Sequence, residues 1–257
     1  MKLEGKELLF LSSMLGKTDA RYCVERGSGA DMVQLGALLA AEEDRLEEER
    51  EIRPGSFLPQ SELEMTKILS KEVEIVRQGL GQNVLVALNL GVFDLGAGLK
   101  AARAWEAAGG DYLELNVHGQ WRGLSEGGYL RAMALEGHRK RLLNWSKSLV
   151  EEGPPLIVKF HRDTNVDFTS LLGEIHRAET GISALHFNIR GPNQKPDLPF
   201  AERIVKAARV PVLFSGYVRT AEAARSLFEL GAAGVGFAQP VMEEKDFISR
   251  IAEASNK

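Results

Sequence analysis

Hydrophobic residues along this chain fall into eight short runs, each followed by a stretch with helical spacing. The runs are Leu8–Met14, Asp31–Gly36, Asn83–Leu90, the stretch opening at Asp111, Leu156–His161, Ala184–Ile189, Val210–Gly216 and Gly234–Ala238. Most are apolar on both parities, the pattern of strands covered on both faces. The intervening segments predict helices over Ala20–Arg26, 61–78, Asp94–Ala108, a long stretch carrying Arg139, Lys140 and Arg141, then Asp167–Arg177, Phe200–Ala208, Ala221–Leu230 and Glu243–Glu253. Thr18-Asp19 and Thr220 suit helix starts. Eight strand-helix units in a chain of this length predict a (β/α)8 TIM barrel, with a doubly wound open sheet as the alternative. No linker or low-complexity segment interrupts the pattern. The expected organisation is therefore one domain over residues 1–257 with a helical excursion at about 37–82. Within that excursion, A-A-E-E-D-R-L-E-E-E-R-E has the composition of a solvated helix face.

The fourth run, D-Y-L-E-L-N-V-H-G-Q, departs from the apolar rule. Glu114, Asn116 and His118 alternate along it, so a strand would point all three the same way. Polar groups are costly to bury for packing alone, which marks this strand as the axis of a site. Barrels of this kind carry their chemistry where strands end. Reading those positions along the chain gives Ser12, Ser13 and Met14, then Gln34, Asn89, Asn116 with His118, Lys159 with His161, Asn188 with Arg190, Ser215 with Tyr217, and Gln239. Lys159 stands out because its neighbours in V-K-F are apolar. A lysine there can contact an anionic cofactor, act as a base or form a Schiff base, or simply pair with Glu114. His118, His161 and His186 with Glu114 are an alternative metal set, although their spacing matches no metal pattern. The Ser215-Gly216 turn and G-V-G-F-A offer backbone amides suited to phosphate, and close helix packing would need the same glycines. Trp121 is the one tryptophan expected on the functional face, while Cys23 reads as a packed core thiol.

Composition narrows the partners. A net charge of -4 disfavours a broad nucleic-acid footprint. A single cysteine excludes an internal disulfide. No apolar run approaches a membrane span, and the opening M-K-L-E-G-K-E-L-L-F-L lacks a secretory pattern, so the expected compartment is the cytoplasm. A small-molecule substrate is expected, and a homo-oligomer is left open.

The strand-end motifs resemble those of the FMN-binding barrels of the tRNA-dihydrouridine synthase and dihydroorotate dehydrogenase group, and a short archaeal synthase-like branch in particular. S-S-M-L-G-K-T-D at Ser12–Asp19 is similar to A-P-M-A-G-x-T-D, and E-L-N-V-H-G-Q to the fourth-strand motif that continues N-x-G-C-P or N-x-S-C-P. L-I-V-K-F-H carries the family lysine at Lys159, and F-N-I-R sets Asn188 where the dehydrogenases have asparagine. S-G-Y at Ser215 and G-V-G-F-A-Q from Gly234 correspond to two phosphate loops. The resemblance implies FMN across the barrel mouth, contacted by Met14, Asn89, Lys159, Asn188, Ser215, Gly216, Gly234, Gly236 and Gln239. It implies an oxidoreductase in which Asn116 faces a small, for example pyrimidine-like, substrate.

Four departures qualify that expectation. Gly119 stands where the synthases keep a proton-donating cysteine, so His118 or Ser125 must supply the acid, His118 being preferred for titrating near neutrality. The synthases' strand-three glutamine falls near Leu88, with Asn89 beside it. Gln239 and Pro240 replace an arginine and a glycine after the eighth strand. The sequence also stops after the eighth helix, without the synthases' C-terminal helical domain, so tRNA is not an expected substrate. The alternative is a flavin-free barrel enzyme using Lys159 and His161 for acid/base or Schiff-base chemistry on a phosphorylated molecule.

Overall fold

Aspartate, serine and threonine side chains set where the helices begin. Asp19 accepts a hydrogen bond from the amide of Tyr22 to start α1 (Ala20–Arg26), and Ser61 does the same for α2 (Glu62–Leu80). Asp94 caps α3 (Leu95–Ala107), while α4 (Arg139–Glu152) follows two short 3-10 turns. Asp167 caps α5 (Phe168–Arg177), Asp197 caps α6 (Leu198–Ala207) and Thr220 caps α7 (Ala221–Glu229). A short helix, α8 (Gln239–Glu243), precedes the closing helix α9 (Phe247–Ser255). The computed structural model describes residues 3, 7–42, 56–120 and 127–255. Most of the acidic run after Ala41, together with Trp121 and Ser125, lies outside them.

The strands are β1 (Leu8–Leu11), β2 (Met32–Ala40), β3 (Leu85–Val92), β4 (Tyr112–Val117), β5 (Leu156–His161), β6 (Ala184–Asn188), β7 (Val212–Ser215) and β8 (Gly234–Phe237). All pair in parallel in chain order, and β8 closes on β1. This is a (β/α)8 barrel, so the open-sheet alternative is set aside. Closure explains the continuous apolar runs. One parity, including Leu113, Val158, Phe187 and Phe214, packs outward against the helices. The other, including Phe10, Met32, Tyr112, Ile157 and Leu213, fills the barrel's lower interior. The outer layer is well keyed on one side: Phe160 and Phe187 stack at 5.2 Å, and Phe168 and Phe200 meet Phe187 edge-on from α5 and α6.

Two elements differ from expectation. β2 runs four residues beyond Gly36, because this glycine at φ +99° takes up a register shift and lets the strand resume at Leu38. The chain after β8 coils first into α8, so the closing helix starts later than Glu243. Trp105 is core, as its burial in α3 shows; its indole N–H donates to the Tyr112 carbonyl at 2.7 Å and braces β4 from outside. Cys23 is buried in α1, and burial pushes its thiol up. Among the described residues, no helix is long and apolar enough to cross a membrane.

Candidate functional site

Above the apolar floor, the next inward-facing residue on nearly every strand is polar. Gln34, Asn89, Glu114, Lys159, His186 and Ser215 are all buried. Glu114 holds this layer together. Its Oε2 accepts from Gln34 Nε2 at 2.6 Å and meets His186 Nδ1 at 2.7 Å. Its Oε1 accepts from Asn89 Nδ2 at 2.6 Å and faces Lys159 Nζ at 3.4 Å. Four strands thus supply four donors to one carboxylate, which is what a buried charge requires. A carboxylate can only accept, so His186 carries its proton on Nδ1. Its Nε2 then accepts from the Ser215 hydroxyl at 2.8 Å.

Burial alone would raise the Glu114 carboxyl. The charges of Lys159 and His186 and the hydrogen bonds from His186 and Asn89 reverse that and hold it at about 2. Burial likewise lowers Lys159, while Glu114 pulls it back up. His186 is lowered by burial against the pull of Glu114, consistent with a neutral ring. The Lys159–Glu114 pairing anticipated from sequence is therefore present. It coexists with a second set of contacts, because Lys159 Nζ also donates to Ser12 Oγ at 3.2 Å and Ser13 Oγ at 3.1 Å at the base of an open cavity.

That cavity, of about 340 Å³, lies at the carboxyl ends of the strands. Its size falls within the range of small-molecule sites. Met14, Asn89, Asn116, His118, Lys159, Asn188, Ser215, Gly216, Gly236 and Gln239 line it, so most of the expected site residues converge. Gly234 and His161 do not line it. Gly234 lies one turn of the pleat deeper, in register with Leu8 and Leu213, where a Cβ would meet the Leu213 side chain at 2.7 Å; its absence of side chain serves floor packing. His161 sits behind His118, with ring centroids 5.2 Å apart. Asn89 faces the cavity whereas Leu88 points outward into the helix layer, so only Asn89 of that pair belongs to the site.

Asn116 lines the cavity and also has a structural role. Its Oδ1 accepts from the amides of His118 at 3.0 Å and Gly119 at 2.8 Å, and its Nδ2 donates to Asn89 Oδ1 at 2.9 Å. It pins the turn that presents His118 to the cavity. The expectation that His118 titrates near neutrality fails. Burial, followed by the positive charge of Lys159, lowers it well below the usual histidine range, and its Nε2 is buried without a partner among the described residues. At pH 7 it is a neutral imidazole. Asn188 Oδ1, beside Gly216, is another buried atom without a partner among the described residues. Among the described residues, no three His, Cys, Asp or Glu side chains converge as a metal site.

Sequence reading placed Glu114 on the polar face of the fourth strand, as a partner for Lys159 or a member of a metal set, and missed its place at the centre of the layer. The available signal was a carboxylate flanked by Leu113 and Leu115 on a covered strand. Ala37, Val218 and Phe237 also line the cavity and are apolar positions that a search for polar strand ends passes over.

Neither a protein-family model nor a curated protein matches the sequence. Solved structures do. Morphinone reductase aligns with a TM-score of 0.71 at 13% identity, over 99% of this chain and 88% of that one. DHODH in complex with ferulenol from Eimeria tenella aligns at 0.65 and 15% identity, over 96% and 80%. FabK from Thermotoga maritima aligns at 0.56 and 12% identity over 93% of this chain, which spans 60% of that structure's length. At such identities the likeness shows a shared fold.

Proposed function

We propose that this chain is an FMN-dependent oxidoreductase that acts on a small, pyrimidine-like molecule at the barrel mouth, as a relative of the dihydrouridine synthases. One observation carries the reading. Lys159 is only 4% exposed, yet its ammonium is fixed at the base of the cavity by Glu114, Ser12 and Ser13. A fixed cation there favours a ring system that gains negative charge on reduction. The remaining lining suits the same group. Asn188 Oδ1, buried and without a partner among the described residues, is an acceptor for a hydroxyl of the ribityl chain; Met14, Ala37, Val218 and Phe237 supply apolar edges. The motif resemblance, and a fold shared with two proteins whose names denote reduction or dehydrogenation, support it further.

When bound, FMN supplies hydride transfer. The chain's own residues supply position and protons. Glu114 keeps Lys159 charged, and Asn116 holds the turn that aims His118. Neutral His118 can accept a proton at Nε2 from an oxygen or nitrogen of the substrate, the role of a base, and does not replace the acid that Gly119 lacks.

The decisive measurement is titration of the purified full-length protein with FMN, followed by flavin fluorescence and by melting temperature. Saturable binding that stabilises the fold, and that weakens by about tenfold or more in Lys159→Ala, is the expected result. No binding at millimolar FMN overturns the reading. Borohydride trapping of a phosphorylated aldehyde or ketone on Lys159 would instead favour the flavin-free alternative.

A further inference from the structure

Arg190 follows β6 and lines the mouth cavity. Arginines on the neighbouring strand-end loops each hold a carboxylate: Arg131 holds Asp163, Arg162 holds Asp197 and Arg219 holds Glu243. Arg190 does not. Among the described residues its guanidinium makes no hydrogen bond or ion pair, and its contact is the face of Tyr217, 5.3 Å from the ring centroid. None of the described residues that line the cavity is a carboxylate. The charge of Lys159 is already matched by Glu114 beneath it, so Arg190 is the one cation at the mouth whose charge the described lining leaves uncompensated. A ligand that fills this cavity is therefore favoured if it brings an anion to Arg190.

The position of that anion follows from the neighbouring turn. Gly216 has φ +102°, and a Cβ there would come within 2.4 Å of Asn188 Oδ1 and 3.1 Å of Arg190 Cγ. Bare backbone at Gly216 is what lets the arginine stem lie along the Ser215–Tyr217 turn. Across the cavity, Gln239 is already engaged, its amide donating to Glu243 Oε1 at 3.4 Å, and Glu243 is itself held by Arg219. The β8 side thus carries the Arg219–Glu243 ion pair, and the β6–β7 side a guanidinium that no described carboxylate holds.

We infer that Arg190 is the phosphate-binding cation of the site, and that it makes the cavity select a phosphorylated flavin over its unphosphorylated form. The inference rests on the flavin reading above. A planar guanidinium can bind phosphate through two parallel hydrogen bonds, and charge-assisted bonds of this kind are worth roughly 10- to 100-fold in affinity.

The test compares FMN with riboflavin, which share the ring and differ in the phosphate. Both are titrated by fluorescence into the full-length wild-type protein, Arg190→Gln and Arg190→Lys, with ligand-free melting curves as the folding control. Wild type is expected to bind FMN roughly 10- to 100-fold more tightly than riboflavin. In Arg190→Gln that preference collapses to within a few-fold while riboflavin binding is unchanged, and Arg190→Lys recovers part of it because it keeps the charge. The assignment is overturned if Arg190→Gln binds FMN as wild type does, or if it loses riboflavin and FMN equally. If wild type binds neither flavin, the flavin reading and this assignment fall together; if it binds both with the same affinity, only this assignment falls.

Discussion

Tyr112 and Glu114 lie two residues apart on β4 and face the same way into the barrel, yet they belong to two different kinds of interior. Tyr112 packs with Phe10, Ile157, Ala184 and Leu213 in a layer held by apolar burial. Glu114 sits among Gln34, Asn89, Lys159 and His186, each of which meets it through a hydrogen bond or an ion pair. The same step recurs along the neighbouring strands, from Ala87 to Asn89, from Ile157 to Lys159, from Ala184 to His186 and from Leu213 to Ser215. The lower layer depends on volume and tolerates small errors in shape. The upper layer depends on matched donors and acceptors, so losing one member strands the others.

The largest expected effect tests that difference directly. Glu114→Ala leaves a buried ammonium and three neutral donors without their acceptor, and should cost ~3–5 kcal/mol in urea unfolding. A cost near that of a single lost methyl group would erase the distinction between the layers. Acid should probe the same group without mutation. Glu114 titrates at about 2 in the folded protein against an ordinary 4.5, so the unfolded chain takes up the proton first as pH falls. Its contribution is present above pH 4.5 and is lost as pH falls toward 2, at about 1.4 kcal/mol per pH unit. His118 and His186, both held below 6.5, begin their own loss earlier on the way down by the same sign. Comparing wild type with Glu114→Gln from pH 7 to pH 3 should show the steeper lower limb in wild type alone. The smallest effect belongs to the floor: Ile157→Val, one methylene lost beside Tyr112, should cost ~0.5–1.5 kcal/mol with no change in pH profile. A pH-dependent loss there would mean that the two layers are coupled.

Much of this barrel was legible because strand and helix write different periods into sequence. β5 and its lysine were placed to the residue, and Thr220 was recognised as a cap, because apolar runs and side-chain caps are local signals. β2 was cut short at Gly36 because a glycine usually ends a run, and only the register of β3 against it shows that pairing resumes at Leu38. The site divided in the same way. Strand ends could be counted, so most lining residues were found. The role of Asn116 in pinning a turn, the lowered basicity of His118 and the depth of Gly234 depend on neighbours from other strands, which a linear pattern does not carry.

The four donors on Glu114 come from β2, β3, β5 and β6, segments separated by up to 152 positions between Gln34 and His186. Their fates are therefore joined by epistasis rather than by nearness in the gene. A lineage that changes one of these five residues must pass through a destabilised intermediate or change a second at once, whereas the rim residues Arg190, Tyr217 and Gln239 can drift singly. A barrel built this way is expected to alter its ligand long before it alters the charge beneath it.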